Sequence, residues 1–488
     1  MGVRPLTETK SLNEECGIFG VWNVENAAQL TFYGLHALQH RGQEGAGIVS
    51  NDHGHLWQER GLGLLSKVFA DPQKLENLTG RAAIGHVRYA TAGSNGVENI
   101  QPFMVNFNDM QVALAHNGNI TNAKTLRKQL EDEGAIFQSS SDTEILLHLI
   151  RRSKKTKFID QLKDALNQIH GGFAFLLMTP DGIYGALDPH GFRPFVVGQL
   201  ANGSYVFASE SAALAAVHAK FVRDVKPGEL IKIDDAGMQI HHFAKHTKLA
   251  IDSMEFIYFA RPDSTICGIN VHQARERMGA NLAKEAPVDA DVVIGVPNSS
   301  LSATLGYANQ SGIPNEMGLI KNQYIARTFI EPTQERREHA VRMKLSAVPA
   351  VLKDKKVILV DDSIVRGTTS KYIINILREA GAKEVHVRIA SPAFKYPSFY
   401  GVDMQTRDEL IAANHTTEEI RQIIGADSLA FLSNEGLVNA INQPGGKQIG
   451  LTTAYFDGHY PSPVYDYQFE LADDFKKHEV TFDPELKN

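Results

Sequence analysis

The sequence predicts a chain of two or three domains whose C-terminal half has an α/β fold. Its 488 residues exceed what one hydrophobic core usually holds, since domains commonly take about 100–200 residues. Two apolar runs, Asp291–Pro297 and Val357–Val360, each end in a polar turn, as parallel strands of an open sheet do. The segment Ser370–Ala380 has helical periodicity and is closed by Gly381, so it completes a strand–loop–helix unit.

The loop between this strand and helix is suited to a phosphorylated sugar. Backbone N–H groups at the start of a helix point toward a bound anion, and a glycine lets the backbone approach it closely. Two adjacent carboxylates are hard oxygen ligands for Mg²⁺ or recognition groups for a sugar diol. A solvated turn with a helix cap is the alternative, whereas a Walker-type loop is disfavoured because no Gly-Lys-Ser/Thr ending is present. The candidate ligand-binding residues are Asp361, Asp362, Ser363, Arg366, Gly367, Thr368 and Thr369.

Composition and charge favour small metabolites as partners over nucleic acid or membranes. The chain is 43% hydrophobic and 22% charged, with a formal net charge of −7, so it has no general basic surface. Its apolar runs fall far short of the ~20 residues that span a bilayer, and its first residues lack the apolar core of a signal peptide. Two cysteines exclude a disulfide framework and fit a reducing cytoplasm.

Motifs in the N-terminal half indicate a second site. Cys16 follows a short polar leader and begins the segment Cys16–Gly20. A lone cysteine is most often a buried hydrophobic residue. Three further segments, however, place polar groups among glycines after apolar runs, and loops of that composition carry functional sites more often than core residues do. These segments are Leu38–Gly47, Gly85–Gly93 and Ala115–Asn119.

Together with Ser139–Glu144, these motifs resemble the glutaminase domain of class II amidotransferases, which are N-terminal nucleophile hydrolases. The resemblance covers roughly residues 16–240 and implies an α+β fold, an αββα sandwich. It also implies that the Cys16 thiol attacks the side-chain amide of glutamine while the α-amino group of the same residue acts as the base. Only the first residue of a mature chain has that amine, so we expect a propeptide, residues 1–15, to be removed.

The same resemblance assigns roles to individual residues. The Asn117 side chain and the Gly118 N–H would form the oxyanion hole. Arg88 would hold the carboxylate of glutamine in a bidentate grip. Asp142 would accept a hydrogen bond from its α-ammonium group, and Thr91 is a further candidate for substrate binding.

Histidines are assigned no direct chemistry. Because an N-terminal amine is available as the base, His86 and His116 are interpreted as orienting and packing residues. His241, His242 and His246 have no cysteine or acidic residue at ligand spacing, so a solvated hairpin or helix end is favoured over a metal site.

The strand–loop–helix unit resembles the phosphoribosyl pyrophosphate (PRPP) loop of type I phosphoribosyltransferases, which implies a domain of that α/β fold. In that family the two acidic residues contact the ribose hydroxyls and the rest of the loop cradles the 5′-phosphate. The turn Asn298–Ser300 would face the pyrophosphate and Mg²⁺, which makes Ser299 a third metal-site candidate beside Asp361 and Asp362. Many relatives have an acidic residue where this chain has Asn298, so the metal shell departs from the usual pattern there.

A long cation-rich connection, residues 318–344, lies between the two apolar runs. Its alternatives are a plain surface loop and a mobile lid that supplies Arg and Lys to pyrophosphate. Structureless loops of this length in compact domains are usually functional or disordered, so we expect a lid. Lys321 and Tyr324 are its candidate substrate contacts.

The two halves together resemble amidotransferases that act on PRPP. The implied reaction hydrolyses glutamine, passes ammonia through an apolar passage and displaces pyrophosphate at ribose C1, giving 5-phosphoribosylamine, the first committed step of purine (IMP) synthesis. The family further implies Mg²⁺, purine nucleotide feedback inhibitors and a homotetramer. The predicted divisions are a propeptide (1–15), a glutaminase domain (16–250), a phosphoribosyltransferase domain (251–465) and a C-terminal tail (466–488).

No iron–sulfur cluster is expected. The processed branch of the family often binds a [4Fe–4S] cluster through four cysteines, but this chain has Cys16 and Cys267 only. Cys267 is interpreted as an incidental small residue. The positions that match the cluster ligands are Asp252, Ser398, Thr452 and Tyr455, none of them a thiol.

Two other classes of protein share part of this pattern. A PRPP-responsive regulator can keep the paired aspartates without catalysis, but it needs neither Cys16 nor Asn117, and no DNA-binding signature is evident. A sugar-phosphate or asparagine-forming amidotransferase would keep the glutaminase half but lose the loop at Asp361.

Overall fold

The computed structural model describes residues 16–89, 96–107, 110–322, 345–401, 406–443, 445–471 and 479–486. Over those residues an N-terminal half of two antiparallel sheets is followed by a half built on a parallel sheet. Within the same ranges, no helix combines the length and apolar character needed to cross a membrane.

The N-terminal half has thirteen strands and seven helices in the described residues. The strands are β1 (Gly17–Val21), β2 (Gly45–Asp52), β3 (His55–Leu62), β4 (Ala82–Arg88), β5 (Phe103–Phe107), β6 (Met110–Ile120), β7 (Gly171–Thr179), β8 (Gly182–Leu187), β9 (Val196–Gln199), β10 (Tyr205–Ala208), β11 (Lys220–Asp224), β12 (Glu229–Asp234) and β13 (Gly237–His242). The helices are α1 (Ala27–Ala37), α2 (Leu65–Val68), α3 (Pro72–Glu76), α4 (Ala123–Asp132), α5 (Glu144–Arg152), α6 (Phe158–Leu166) and α7 (Ser211–Ala216), with 3₁₀ turns at Gln39–Arg41 and Val97–Asn99.

These strands form two sheets that stack face to face. One has the order β11-β9-β10-β1-β4-β2-β3 and the other β13-β12-β8-β7-β6-β5. Ile84 of β4 and Leu176 of β7 belong to the core between the sheets, while α1 and α7 cover the outer face of the first sheet and α5 and α6 that of the second. This confirms the αββα sandwich.

The second half has its elements in a different arrangement. The strands are β14 (Ile251–Asp252), β15 (Thr265–Ile266), β16 (Ile269–Asn270), β17 (Val292–Gly295), β18 (Leu319–Lys321), β19 (Leu345–Ala347), β20 (Lys356–Asp361), β21 (Glu384–Ile389), β22 (Ser428–Phe431), β23 (Leu451–Thr452), β24 (His459–Tyr460) and β25 (Thr481–Phe482). The helices are α8 (Val271–Glu285), α9 (Leu301–Ser311), α10 (Pro349–Leu352), α11 (Thr368–Glu379), α12 (Ile411–Asn414), α13 (Thr417–Ile424), α14 (Asn434–Ile441) and α15 (Ala454–Asp457). Shorter turns are the π-helical Glu255–Phe259 and the 3₁₀ segments Arg407–Glu409 and Tyr465–Leu471.

The core of this half is the parallel sheet β17-β20-β21-β22. Helices α8, α9 and α14 pack on one face, and α11 and α13 pack on the other. Gly295 of β17 lies opposite Val360 of β20, so the turns after these two strands meet at one edge. The α/β fold expected for this half is confirmed.

The predicted helix at Ser370–Ala380 begins two residues earlier, at Thr368. Gly367 precedes the helix with φ +76°, a left-handed conformation that glycine adopts without a steric penalty. The helix therefore begins immediately after the turn that follows Asp361 and Asp362. His241 and His242 lie in β13 of the hairpin with β12, as the hairpin interpretation expects.

The placement of two motifs in loops is wrong. His86 and Arg88 lie within β4, and the residues 115–119 lie within β6, where Asn117 pairs with Ala174 and Gly118 with Phe173 of β7. Polar residues and glycine are rare in strands, so the pattern suggested loops. Here residues 115–119 pair with β7 on one side only, because the pairing of β6 with β5 ends at Leu114.

The C-terminal segment is packed against the N-terminal half. The Asp466 carboxylate accepts hydrogen bonds from the backbone N–H of Lys124 at 2.7 Å and of Thr125 at 3.2 Å, at the start of α4. Asp466 N–H in turn donates to Thr121 O at 3.1 Å. The predicted tail therefore contributes to the contact between the two halves.

Candidate active sites

Cys16 lies directly before β1 and is 8% exposed. Its backbone carbonyl accepts a hydrogen bond from Arg41 Nε at 3.1 Å, and its thiol donates to Tyr89 O at 3.5 Å. Because side chains alternate along a strand, Cys16 shares the face of Ile18, which points into the core between the sheets. The thiol therefore lies at the edge of the space enclosed by the two sheets.

Asn117 faces the same enclosed space from the second sheet. It is fully buried, and neither its Nδ2 nor its Oδ1 atom has a hydrogen-bond partner among the described residues. Native proteins rarely leave a buried amide unpaired, because doing so costs about 1–3 kcal/mol. Position 118 requires glycine, because its φ is +145° and a Cβ there would lie 2.0 Å from Gly172 O. Asn117 Nδ2 is therefore available to donate a hydrogen bond to a ligand.

Arg88 and Asp142 are the candidate residues for the two ends of glutamine, and the Asp142 side chain is 9% exposed. Arg88 at the end of β4 is 3% exposed. Asp142 precedes α5 and accepts a hydrogen bond from Ile120 N–H at 2.8 Å. Burial by itself raises the pKa of Asp142, but His116 and the N–H groups of Ile120 and Thr143 outweigh it and hold the pKa below the usual value. Asp142 is therefore ionised and suited to bind an ammonium group.

The two histidines contact the strands rather than the thiol. His86 Nε2 lies 3.1 Å from His116 O, and burial followed by the charge of Arg88 lowers the pKa of His86 to about 3. His116 Nδ1 lies 3.0 Å from Thr143 Oγ1, and its ring stacks on Phe175 with centroids 4.3 Å apart. These contacts support the orienting interpretation.

The second site lies where β17 and β20 end. Asp361 Oδ1 accepts hydrogen bonds from Ser300 Oγ at 3.0 Å and from Asp362 N–H at 2.9 Å. Ser363 Oγ donates to Asp362 Oδ1 at 2.7 Å, and the Ser299 hydroxyl also donates to the Asp362 carboxylate. Ser299 and the two aspartates are thus in one hydrogen-bonded cluster, as expected. The sequence did not predict a role for Ser300, because two adjacent serines cannot be distinguished by residue type alone.

This cluster fits a divalent cation. Burial raises the pKa of Asp361, and the adjacent charge of Asp362 raises it further; burial likewise raises the pKa of Asp362. A cation would relieve both effects, and an all-oxygen donor set suits Mg²⁺. No group of three or more His, Cys, Asp or Glu side chains able to hold a metal occurs in the described part of the chain, so substrate oxygens would have to complete the shell.

Other predicted contacts are placed as follows. Arg366 forms an ion pair with Glu409 at 2.8 Å. Lys321 ends β18, which pairs with β19. Thr91 and Tyr324 lie outside the described residues, as do residues 1–15 and most of the predicted lid.

Three of the four positions that match cluster ligands are brought together. Asp252 pairs with Thr452 through β14 and β23, and Tyr455 Oη donates a hydrogen bond to the Asp252 carboxylate. Arg193 Nη1 lies 3.1 Å from Asp252 Oδ2, and both side chains are completely buried. A buried ion pair therefore occupies this region. The Cys267 thiol lies elsewhere, beside Asp224, and burial raises its pKa to about 12.

Two regions of the chain match known families. Residues 86–216 match a glutamine amidotransferase domain, and residues 269–396 match a phosphoribosyl transferase domain. The first region contains Asn117, and the second contains the Asp361 cluster.

Relatives match nearly the whole chain. It is 57% identical over 459 residues to the amidophosphoribosyltransferase of Staphylococcus aureus strain COL, covering 94% of this chain and 93% of that protein. It is 54% identical over 462 residues to the amidophosphoribosyltransferase of Bacillus subtilis strain 168, covering 94% and 97%. Among solved structures, the glutamine PRPP amidotransferase of Bacillus subtilis, complexed with ADP and GMP, matches with a TM-score of 0.87 at 53% identity, covering 92% of this chain and 98% of that one.

Proposed function

The chain belongs to the amidophosphoribosyltransferase family, and from that premise we propose how its residues divide the reaction. The activity is the synthesis of 5-phosphoribosylamine from PRPP and glutamine, the first step of purine synthesis. Two sites share the work: one releases ammonia from glutamine, and the other uses it to displace pyrophosphate.

At the first site, Cys16 Sγ attacks the side-chain amide carbon of glutamine. The α-amino group of Cys16, freed by removal of residues 1–15, takes the thiol proton and returns it to the departing ammonia; water then hydrolyses the resulting thioester, which releases glutamate and restores the thiol. Asn117 Nδ2 and the Gly118 N–H stabilise the oxyanion. Arg88 and Asp142 hold the substrate carboxylate and ammonium groups. The unpaired amide of Asn117 is the observation that supports this assignment most strongly.

At the second site, Asp361 and Asp362 bind the ribose hydroxyls, and the start of α11 cradles the 5′-phosphate. Ser299, Asp361 and Asp362 are the residues that would hold Mg²⁺. When bound there, magnesium would offset the charge of the pyrophosphate leaving group. The predicted lid, residues 318–344, lies mostly outside the described residues; its proposed role is to close over bound PRPP and keep ammonia from water.

The finer properties are proposed on the same basis. We propose purine nucleotides as feedback inhibitors, because the Bacillus subtilis relative is complexed with ADP and GMP. A homotetramer in the cytoplasm, without an iron–sulfur cluster, is proposed from the family resemblance and the two cysteines. The divisions at residues 15, 250 and 465 are proposed as well.

The test measures PRPP-dependent glutamate release and phosphoribosylamine formation, together with the intact mass of the active protein. Cys16→Ala should abolish the use of glutamine yet retain synthesis from ammonium salts. Cys267→Ala is the matched control and should retain both activities, since its thiol lies at neither site. An active protein that keeps any of residues 1–15 would rule out the amine as base.

A further inference from the structure

Arg275 of α8 is a buried arginine to which the reaction assigns no role. It is 3% exposed, and its guanidinium donates to two backbone carbonyls, Phe256 O at 2.7 Å and Ala260 O at 2.8 Å. Within the described part of the chain, its guanidinium contacts these two carbonyls and forms no direct ion pair with a carboxylate. Burying an arginine without a carboxylate partner is costly, so a specific role is expected.

The two carbonyls belong to the π-helical turn Glu255–Phe259 and the residue that follows it. Single π-helical turns occur frequently at functional sites. Glu255, the first residue of the turn, is fully buried and receives two hydrogen bonds from Arg41, at 2.7 and 2.9 Å. The same Arg41 holds the Cys16 carbonyl through its Nε atom. One end of the turn is therefore two contacts away from the nucleophile.

The helix that carries Arg275 also reaches the PRPP loop. His272 Nδ1, one turn before Arg275, lies 2.9 Å from Ser302 Oγ in the first turn of α9. Ser300, directly before α9, is hydrogen-bonded to Asp361. A continuous series of contacts thus runs from the PRPP loop to α8.

Helices α8 and α9 are packed closely enough to move as one unit. A Cβ at Gly279 of α8 would lie 1.8 Å from Ala303 O, and a Cβ at Gly306 of α9 would lie 1.8 Å from Glu276 O. Backbone contacts of this kind leave no room for the helices to slide independently. A displacement of the first turn of α9 would therefore be passed to Arg275.

We propose that Arg275 is a positioning residue that couples occupation of the PRPP loop to the Cys16 site by holding the Glu255–Phe259 turn at both ends. The inference rests on the proposed roles of the two sites and adds the connection between them. PRPP bound at Asp361 fixes the start of α9, α8 follows, and Arg275 sets the position of Glu255 and hence of Arg41. Charge supports the arrangement, since the acidic groups that act most strongly on Arg275 are Asp362 and Glu210, one in each half.

The test compares Arg275→Lys and Arg275→Gln with Arg277→Gln. Lysine keeps the charge but cannot bridge two carbonyls in a fixed fork. Arg277 is the matched control because it lies on the same helix and donates to Ala440 O at 2.6 Å, away from the turn. The readouts are the ratio of glutamate release with and without PRPP, the kcat and the PRPP KM for synthesis from ammonium, and the Tm.

Both Arg275 variants should lower the PRPP stimulation of glutamate release at least about tenfold, the size of an ordinary coupling between sites. Synthesis from ammonium should stay within about threefold of the parent, and Arg277→Gln should keep the full stimulation. If Arg275→Gln does not fold, Arg275→Lys decides alone.

Unchanged stimulation in Arg275→Lys would overturn the inference. So would an equal loss in Arg277→Gln, or a loss of ammonium-dependent synthesis as large as the loss of stimulation, because either result indicates a general structural role. A parent protein that releases glutamate equally with and without PRPP would also overturn it. A parent that makes no phosphoribosylamine from ammonium would instead refute the proposed function.

Discussion

The Ser300 hydroxyl donates a hydrogen bond to the Asp361 carboxylate across 3.0 Å. Ser300 is fully buried and lies directly before α9, in the turn after β17. Asp361 is the last residue of β20, which pairs with β17. The hydrogen bond therefore connects the ends of two neighbouring parallel strands. It fixes the orientation of the Asp361 carboxylate, which in the proposed function binds the ribose hydroxyls and Mg²⁺. Ligand sites in open α/β sheets form at such an edge because several strand ends deliver side chains there.

We expect Ser300→Ala to lower kcat/KM for PRPP about 10- to 100-fold with either nitrogen donor. A hydrogen bond to a charged group contributes about 1.5–3 kcal/mol, and here its loss frees the carboxylate from its fixed orientation. Ser311→Ala, at the other end of α9, is the control because that hydroxyl donates only to Ala308 O. Steady-state kinetics with ammonium and with glutamine measure the effect, and an unchanged kcat/KM would contradict it.

Asn117→Ala should lower the glutamine-dependent kcat about 10²–10³-fold, the usual loss for one oxyanion-hole donor. Its amide has no partner to lose, so the Tm should stay constant or rise. Asn119→Ala is the contrasting variant, because Asn119 Nδ2 donates to Phe399 O at 2.8 Å and its removal leaves that carbonyl unpaired. Its Tm should fall. The reverse pattern of melting temperatures would exclude Asn117 as a preorganised donor.

The region around Asp252 predicts a protein that is insensitive to oxygen. Asp252, Thr452 and Tyr455 offer oxygen atoms, and Arg193 already neutralises the carboxylate. Protein purified without oxygen should therefore contain no stoichiometric iron or acid-labile sulfide, and its activity should survive exposure to air. Four irons per chain would contradict this outcome.

Much of this architecture could be predicted from local patterns, and the rest depends on contacts between distant residues. The Val357–Val360 run and the loop behind it predicted β20, α11 and the site between them, because a buried strand and a helix start are local features. Asn117 and Gly118 could be named as candidates from their motif, but their position in a strand could not be predicted, because their partner strand β7 comes from residues far along the chain. Arg275 gave no signal at all. Its partners are backbone carbonyls, which carry no sequence identity.

His86 should make the protein less stable as the pH falls. Burial lowers its pKa to about 3 from 6.5, so between these values the unfolded chain binds a proton that the folded protein does not. The free energy of unfolding therefore decreases on acidification by about 1.4 kcal/mol per pH unit from this group. His86→Gln removes the titration and should flatten the slope by that amount in urea unfolding between pH 4 and about 6. The exposed His53→Asn is the control, and an unchanged slope in His86→Gln would refute the prediction.

Asp188 should act with the opposite sign. Burial raises its pKa to about 7 from 3.8, even though its carboxylate accepts hydrogen bonds from the backbone N–H groups of His190, Phe173 and Phe192. The folded protein thus keeps a proton that the unfolded chain has lost, and the free energy of unfolding decreases as the pH rises from about 4 to 7. Asp188→Asn cannot ionise. Relative to the parent, its free energy of unfolding should increase by about 1.4 kcal/mol per pH unit across that window, on top of a constant offset for any hydrogen bond lost. Urea unfolding of both proteins at half-unit steps measures this difference, and a flat or falling difference would show that Asp188 is ionised in the folded protein.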